Sequence, residues 1–327
     1  MIQLQMIPAA KTVVDQVLGL KAGEKVVLLT DTERPPTITQ ALAQAVMSAG
    51  AELVIATYLP TEMGGTEPPQ AVAAAMKASD AVVNQTSHSI THTRAQREAL
   101  AAGARVCNLR ELDEDMMIRG GITADYNVVR RLTDRLVEML SSAREARLTC
   151  PAGTDITMSL EGRQAAALAG FADSPGTFSG LPDGEAAIAP VEGSTRGVVV
   201  NPFMIEKINR VHDQLRITVE DGFIVEITGG REAQELKKIL DDRPPEAANF
   251  AAELALGTNS WCRVIERTRE VKKLLGQAHV AVGDNQTLGG TVDVPIHLDM
   301  IFLEPTVYLD GEIVLERGSL AGNVVQE

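Results

Sequence analysis

The sequence predicts two domains: an α/β N-terminal domain (residues 1–145) on a doubly wound, mainly parallel sheet, and a C-terminal α+β domain (146–327) on an antiparallel or mixed sheet. Three observations predict it. Apolar strand-length runs alternate with helix-length segments as far as residue 109, the pattern of parallel strands joined by helical crossovers. Beyond residue 146 the texture changes to short alternating strands separated by turn residues. Aromatic residues make up only 3% of a chain that is 45% hydrophobic, so Ala, Val, Ile and Leu must fill the interior, as in buried parallel sheets.

The run 25–31 reads as a buried strand ending in a polar turn, and 36–49 as a helix closed by Gly50. A second strand (51–59), a second helix (71–78), a third strand (81–86), a helix from about 93 to 102 and a fourth strand (105–109) follow. Ligands of such a sheet bind at the carboxyl ends of its strands. Val128, Leu132, Leu136, Met139 and Leu140 recur with helical period, predicting a long helix over 125–147 that leads into the second domain. There, 215–220 and 223–228 flank Asp221-Gly222, and 307–309 and 312–316 flank Asp310-Gly311; each pair reads as a two-residue hairpin. Residues 232–242 between them form a helix ended by Pro244-Pro245.

A length of 327 residues exceeds one ordinary core. The net charge of −14 argues against nucleic acid, which is held by Lys and Arg on phosphates. No basic and apolar leader opens the chain and no apolar run is long enough for a bilayer, so a soluble, cytoplasmic protein without membrane or nucleic-acid partners is expected. Cys107, Cys150 and Cys262 are scattered and fit inert, reduced thiols. No GxGxxG follows the first strand, no GxxxxGK[ST] occurs, and no G-x-S-x-G marks a serine nucleophile.

The candidate chemistry lies in the second domain. In a strand, residues two apart share a face, so His297-Leu298-Asp299 aims an imidazole and a carboxylate at one spot. Such a pair is half a metal site, although a His–Asp pair on a sheet is more often a satisfied hydrogen bond. Upstream stand His279, at the start of a strand, Glu253, in an Ala-rich stretch read as helical, and Glu185, after a Pro-Asp-Gly turn. Taken singly, each has an ordinary reading as a core hydrogen-bonder or a surface carboxylate. Glu266 is expected at the surface or behind the ligands.

In order, the segments LPDGEAAIAP, AAELALG, HVAVG and HLD resemble the metal-binding stations of the aminopeptidase T and aminopeptidase S metallopeptidases. That resemblance implies two divalent ions, Zn²⁺, Mn²⁺ or Co²⁺, held by Glu185, Glu253, His279, His297 and Asp299, and a homodimeric assembly. A mixed nitrogen and oxygen donor set suits those ions, and two of them can acidify a shared water and polarise a carbonyl. Where the aminopeptidases have a tyrosine shortly after the first histidine, this chain reads Gly283-Asp284-Asn285-Gln286. The role of that tyrosine is therefore not carried over.

In the first domain, Thr86-Ser-His-Ser-Ile-Thr-His92-Thr93-Arg94 follows the third strand and opens a helix. Thr91 or Thr93 would cap that helix, and free N–H groups there favour an anion. His88 reads as a solvent histidine. His92, Thr93 and Arg94 are candidates for positioning a substrate carboxylate, and the aminopeptidases have a similar Thr-His-Thr segment.

Three functions follow. The first is a metal-dependent hydrolase of an amide or peptide-like bond in a small molecule or short peptide, with Glu185 or Glu253 shuttling the proton. The second is a mononuclear Fe²⁺ ring-cleaving dioxygenase. His279, His297 and Asp299 make a two-histidine, one-carboxylate set, and the 2,5-dihydroxypyridine 5,6-dioxygenases resemble the same scaffold and end in a His-x-Asp pair. That reading leaves Glu185 and Glu253 with no metal to hold. The third is a non-catalytic ligand-binding protein on the same scaffold.

Overall fold

The structure, a computed structural model, describes residues 2–91, 93–109 and 111–325, with Val325 described by its backbone alone. In chain order its elements begin with α1 (Ile2–Lys11), β1 (Lys25–Asp31), α2 (Pro36–Ser48), β2 (Glu52–Tyr58), α3 (Gln70–Lys77), β3 (Ala81–Gln85), α4 (Arg94–Ala101), β4 (Arg105–Asn108), α5 (Glu114–Arg119) and α6 (Tyr126–Ser142). The strands β5 (Glu145–Thr149), β6 (Asp155–Ser159), β7 (Ala166–Leu168), β8 (Phe178–Gly180), β9 (Glu185–Ile188), β10 (Arg196–Val200), β11 (Met204–Ile205) and β12 (Asn209–Arg210) follow. The hairpin β13 (Leu215–Glu220) and β14 (Phe223–Gly229) leads to α7 (Arg231–Asp241), β15 (Glu253–Gly257), α8 (Thr268–Val271), β16 (Ala278–Gly283) and β17 (His297–Phe302). Last come β18 (Thr306–Leu309), β19 (Glu312–Glu316), β20 (Ser319–Leu320) and α9 (Gly322–Val325).

The chain forms two compact units, Met1–Val129 with Ala169–Asp183, and Arg130–Leu168 with Gly184–Glu327. The first holds a parallel sheet of order β2-β1-β3-β4-β8. Its inner strands β1, β3 and β4 are almost wholly buried, which explains their near-continuous apolar runs. A division at 145/146 places residues 169–183 in the second unit, whereas β8 returns to pair with β4. Three residues with one buried side chain, Phe178-Ser179-Gly180, carry no periodicity by which to read that return. The helix expected over 125–147 ends at Ser142, because Ala146 and Leu148 alternate with exposed neighbours and begin β5. Helix α1 has no counterpart in the sequence reading, since Pro8 lies inside it.

The second unit stacks two antiparallel sheets, β14-β13-β10-β6-β5-β18-β19-β20 and β12-β11-β17-β16-β15-β9-β7. Both expected hairpins form there, with Asp221 and Gly222 at φ 47° and 77°, and Asp310 and Gly311 at 49° and 86°. Positive φ at both turn positions is the conformation whose twist matches paired strands. Leu148, Ile156 and Ile217 from one sheet share a core with Leu254, Val280, Leu298, Met300 and Phe302 from the other, and α6 and α7 add Leu136 and Leu236. Register follows from this core. Burying a side chain such as Leu298, Met300 or Phe302 is worth roughly 2 kcal/mol, so a one-residue slip of β17 costs on the order of 6 kcal/mol. The favoured register turns His297 and Asp299 to the opposite face.

Glu253 departs from its expected helical setting: it is the first residue of the strand β15, buried along its whole length. Pairing with β9 on one side and β16 on the other overrides the helix preference of its Ala and Leu neighbours.

Candidate metal centre

Four adjacent strands, β9, β15, β16 and β17, build the centre. On each, the residues facing the core alternate with residues facing away, so Glu185, Glu253, His279, His297 and Asp299 all stand on one face of one sheet. Small residues separate them. Ala281 of β16 lies between Glu253 and Asp299 in register, Gly283 lies opposite His297, and Ala255 lies opposite His279. Two glycines are required by close approach. A Cβ on Gly283, at φ 105°, would meet the Ile296 carbonyl oxygen at 2.2 Å, and one on Gly257 would meet that of Leu274 at 2.2 Å.

The side chains form one continuous run. His297 Nε2 lies 2.9 Å from Glu253 Oε2 and 3.0 Å from Asp299 Oδ1. His279 Nε2 lies 3.5 Å from Glu253 Oε1 and 3.6 Å from Glu185 Oε2. Two lysines close the ends, with Lys272 Nζ on Asp299 Oδ2 and Lys273 Nζ on Glu185 Oε1. Two groups of donors result, Glu185–Glu253–His279 and Glu253–His297–Asp299, within each of which the ligand atoms lie within 4.8 Å of one another. Glu253 belongs to both. His279, His297 and Asp299 by themselves do not make such a group; Glu253 stands between the two imidazoles.

The donors fit a divalent cation on their own chemistry. Among the described residues, Glu185 Oε2 and His279 Nε2 are buried without a hydrogen bond, and Asp299 Oδ1 has only the His297 ring, 3.0 Å away, an arrangement that is costly unless a cation satisfies it. His297 Nδ1 lies 2.9 Å from the Asp284 carbonyl oxygen, a contact that directs Nε2 toward the carboxylates. Burial opposes ionisation of Glu253, but the imidazoles of His279 and His297 beside it outweigh it and hold the carboxyl well below the usual range. Burial likewise opposes ionisation of Asp299, and Lys272 and His297 outweigh it. Burial would lower His297, yet Asp299 and Glu253 push it well above the ordinary imidazole value. Lys272 is raised in the same way, against burial, by Asp299, Glu185, Glu206 and Glu253.

A loop behind the centre holds its geometry. Asn285, fully buried, donates to Glu192 Oε1 at 2.9 Å and to the Ala251 carbonyl at 3.1 Å, next to the Asp284 carbonyl that orients His297. Burial opposes ionisation of Glu192, but the Thr291 N–H, the Asn285 amide and Arg163 outweigh it and hold its pKa at about 2 rather than 4.5. A carboxyl depressed by folding stabilises the fold fully above its unfolded pKa, and that contribution is lost as pH falls through the folded value. Denaturant unfolding from roughly pH 5 down to pH 2 should therefore show stability falling, with a shallower fall in Glu192→Gln. Equal slopes in the two proteins would refute this assignment.

Of the first-domain candidates, His92 lies outside the described residues. Thr93 is 1% exposed and caps α4, accepting from Gln96 N and donating to the Ile90 carbonyl. The N–H groups of Arg94 and Ala95 donate to the Glu67 carboxylate, so this helix start already holds an anionic group of its own chain. The Arg94 side chain is exposed and lies 3.9 Å from Glu98. Glu266 is exposed, as expected. Cys107 is buried in β4, and burial pushes the Cys150 thiol up to about 12, which suits inert thiols. The residues that sequence reasoning missed are Lys272, Lys273, Asp284 and Asn285. Adjacent lysines read as solvated, and only the chain path from α8 to β16 lays them against Asp299 and Glu185.

The chain is similar to known proteins. A family model described as 2,5-dihydroxypyridine 5,6-dioxygenase (NicX) matches residues 6–322. A 2,5-dihydroxypyridine 5,6-dioxygenase of Pseudomonas putida KT2440 is 27% identical over 266 residues, 77% of this chain and 72% of the relative. The solved structure of 2,5-dihydroxypyridine dioxygenase from Pseudomonas putida KT2440 aligns with TM-score 0.81 at 21% identity, over 98% of both chains. AmpT from Thermus thermophilus aligns with TM-score 0.70 at 17% identity, over 98% of this chain and 100% of its own. At those identities the two structures show the fold, and the aminopeptidase resemblance is a likeness of scaffold. The family match and the curated relative overturn the expectation of an amide-hydrolysing enzyme, because both carry the name of a dioxygenase.

Proposed function

Since the chain belongs to the 2,5-dihydroxypyridine 5,6-dioxygenase family, we propose that it is a metal-dependent dioxygenase that opens a small dihydroxylated nitrogen-heteroaromatic ring with one Fe²⁺ per chain. The observation that carries this reading is the convergence of buried, hydrogen-bond-poor donors on one sheet face. Nitrogen and oxygen donors with two imidazoles suit Fe²⁺. His297, Asp299, Glu253 and His279 are the residues that would hold the ion.

The chemistry a ferrous ion supplies when bound is the one-electron reactivity with O₂ that organic side chains lack. The chain's own groups do the rest. Asp299 and His279 are fully buried while the His297 side chain is 31% exposed, so substrate approaches from the His297 side and the far side stays dry. The Asp284 carbonyl keeps the His297 ring in one orientation. Glu253, 2.9 Å from His297 Nε2 and 3.5 Å from His279 Nε2, orients both imidazoles. The Lys272 ammonium, 20% exposed, stands at the same end and offsets negative charge on a deprotonated substrate.

The test is oxygen uptake with 2,5-dihydroxypyridine by protein stripped with a chelator and reloaded anaerobically. Stripped protein should be inactive, Fe²⁺ should restore uptake of one O₂ per substrate consumed, and Zn²⁺ should not. Ring opening without O₂ uptake, or full activity of the stripped protein, would overturn the proposal.

A further inference from the structure

The centre has donors for two ions but carries its own cations. Lys273 and Glu185 are both buried, with side chains 6% and 3% exposed, and their charged atoms are in direct contact. We propose that Lys273 occupies the position a second metal ion would take, closing the Glu185 end of a donor run that forms two groups. This inference rests on the metal-dependent reading above and concerns the number of ions rather than the reaction.

Charge argues for it first. Glu185, Glu253 and Asp299 stand against the ammoniums of Lys272 and Lys273, so with neutral imidazoles these groups carry one net negative charge. One dication turns that into a single positive charge; a second would leave three, of which the Glu206 carboxylate that also acts on Lys272 offsets only one.

Access argues next. The two ends of the run differ: the Lys272 side chain is 20% exposed and stands at the end where His297 is 31% exposed, so its four-carbon stem can carry the ammonium out to water. Lys273 has no such exit, and its backbone is pinned, since its carbonyl accepts from Asn259 N at 2.9 Å and Leu275 N donates to the Asn259 carbonyl at 3.1 Å. Gly257 lets that segment lie against β15, because any Cβ there would strike the Leu274 carbonyl. The position beside Glu185 is therefore closed by Lys273, while Glu253, His279, His297 and Asp299 remain open to one ion. The same pairing accounts for Glu185, which a one-metal centre would otherwise leave as a buried charge without a partner.

The test is Mn²⁺ binding to full-length protein, read by elemental analysis, calorimetry and electron paramagnetic resonance. Wild type should bind one Mn²⁺ with the six-line signal of an isolated ion. Lys273→Met should bind two, with a spin-coupled signal, because Glu253 has one oxygen facing each group. Lys273→Arg, which keeps the charge, should bind one. The Lys273→Met protein without metal should melt below wild type and recover at two equivalents of Mn²⁺. Two ions in wild type, or one ion in a folded Lys273→Met, would overturn the inference while leaving the dioxygenase reading standing. So would a Lys273→Met protein that stays insoluble even when produced with Mn²⁺, since the added ion should replace the lysine. Failure of wild type to bind any Mn²⁺ or Fe²⁺ would instead remove the metal-dependent reading itself.

Discussion

Replacing Asp299 by asparagine should strip the bound metal and lower ring-opening activity by about 10³-fold or more, the scale of roughly 4 kcal/mol of lost charge stabilisation. Asp299 is fully buried, one of its oxygens has only His297 Nε2, at 3.0 Å, beside it, and its other oxygen holds Lys272. An amide of the same shape removes one ligand charge and presents N–H groups where an acceptor is needed, and it leaves the lysine short of its nearest counter-charge. Metal content after dialysis, oxygen uptake and the thermal midpoint would be read together. Glu266→Gln, at an exposed carboxylate outside the cluster, is the control and should leave all three unchanged. An Asp299→Asn protein that keeps its metal and its activity to within a few-fold would show that the ion sits elsewhere.

Gly283→Ala should destabilise the second unit by about 3 kcal/mol and weaken metal retention together. The residue has φ 105°, which an L side chain rarely adopts, and its new Cβ would lie 2.2 Å from the Ile296 carbonyl oxygen. Relief requires β16 and β17 to part where Gly283 pairs with His297. The neighbouring Asp284 carbonyl would then lose its hold on the imidazole. Denaturant midpoints and Mn²⁺ affinity measure the two effects. A loss of stability with unchanged affinity would detach the glycine from the centre and leave it a purely structural turn.

Much of this centre was legible in the chain because strand geometry is local. Period-two alternation in His297–Phe302 and Ala278–Gly283 assigns each histidine to the face opposite the apolar residues without knowledge of the neighbours. The two Asp-Gly hairpins and the parallel strands β1, β3 and β4 were legible for the same reason, since turn chemistry and unbroken apolar runs are encoded within a few residues. Glu253 was misread because Ala and Leu favour a helix in isolation, and pairing on both sides of β15 outweighs that preference. The return of β8 to the first sheet was illegible, three residues being too few to show a period. The reaction was not legible either: the motifs resemble those of the aminopeptidases, and the family match decided in favour of a dioxygenase.

The sequence by itself put His297 and Asp299 on one strand face by local alternation, and its resemblance to a metallopeptidase family implied Glu185, Glu253 and His279 beside them. Only the tertiary structure decided how those donors are shared. It brings Lys272 and Lys273 from the segment before β16 onto Asp299 and Glu185, on strands three apart in the sheet. The physical reason is that strand alternation acts between neighbours in the chain, whereas a buried charge is balanced by whatever the fold lays beside it.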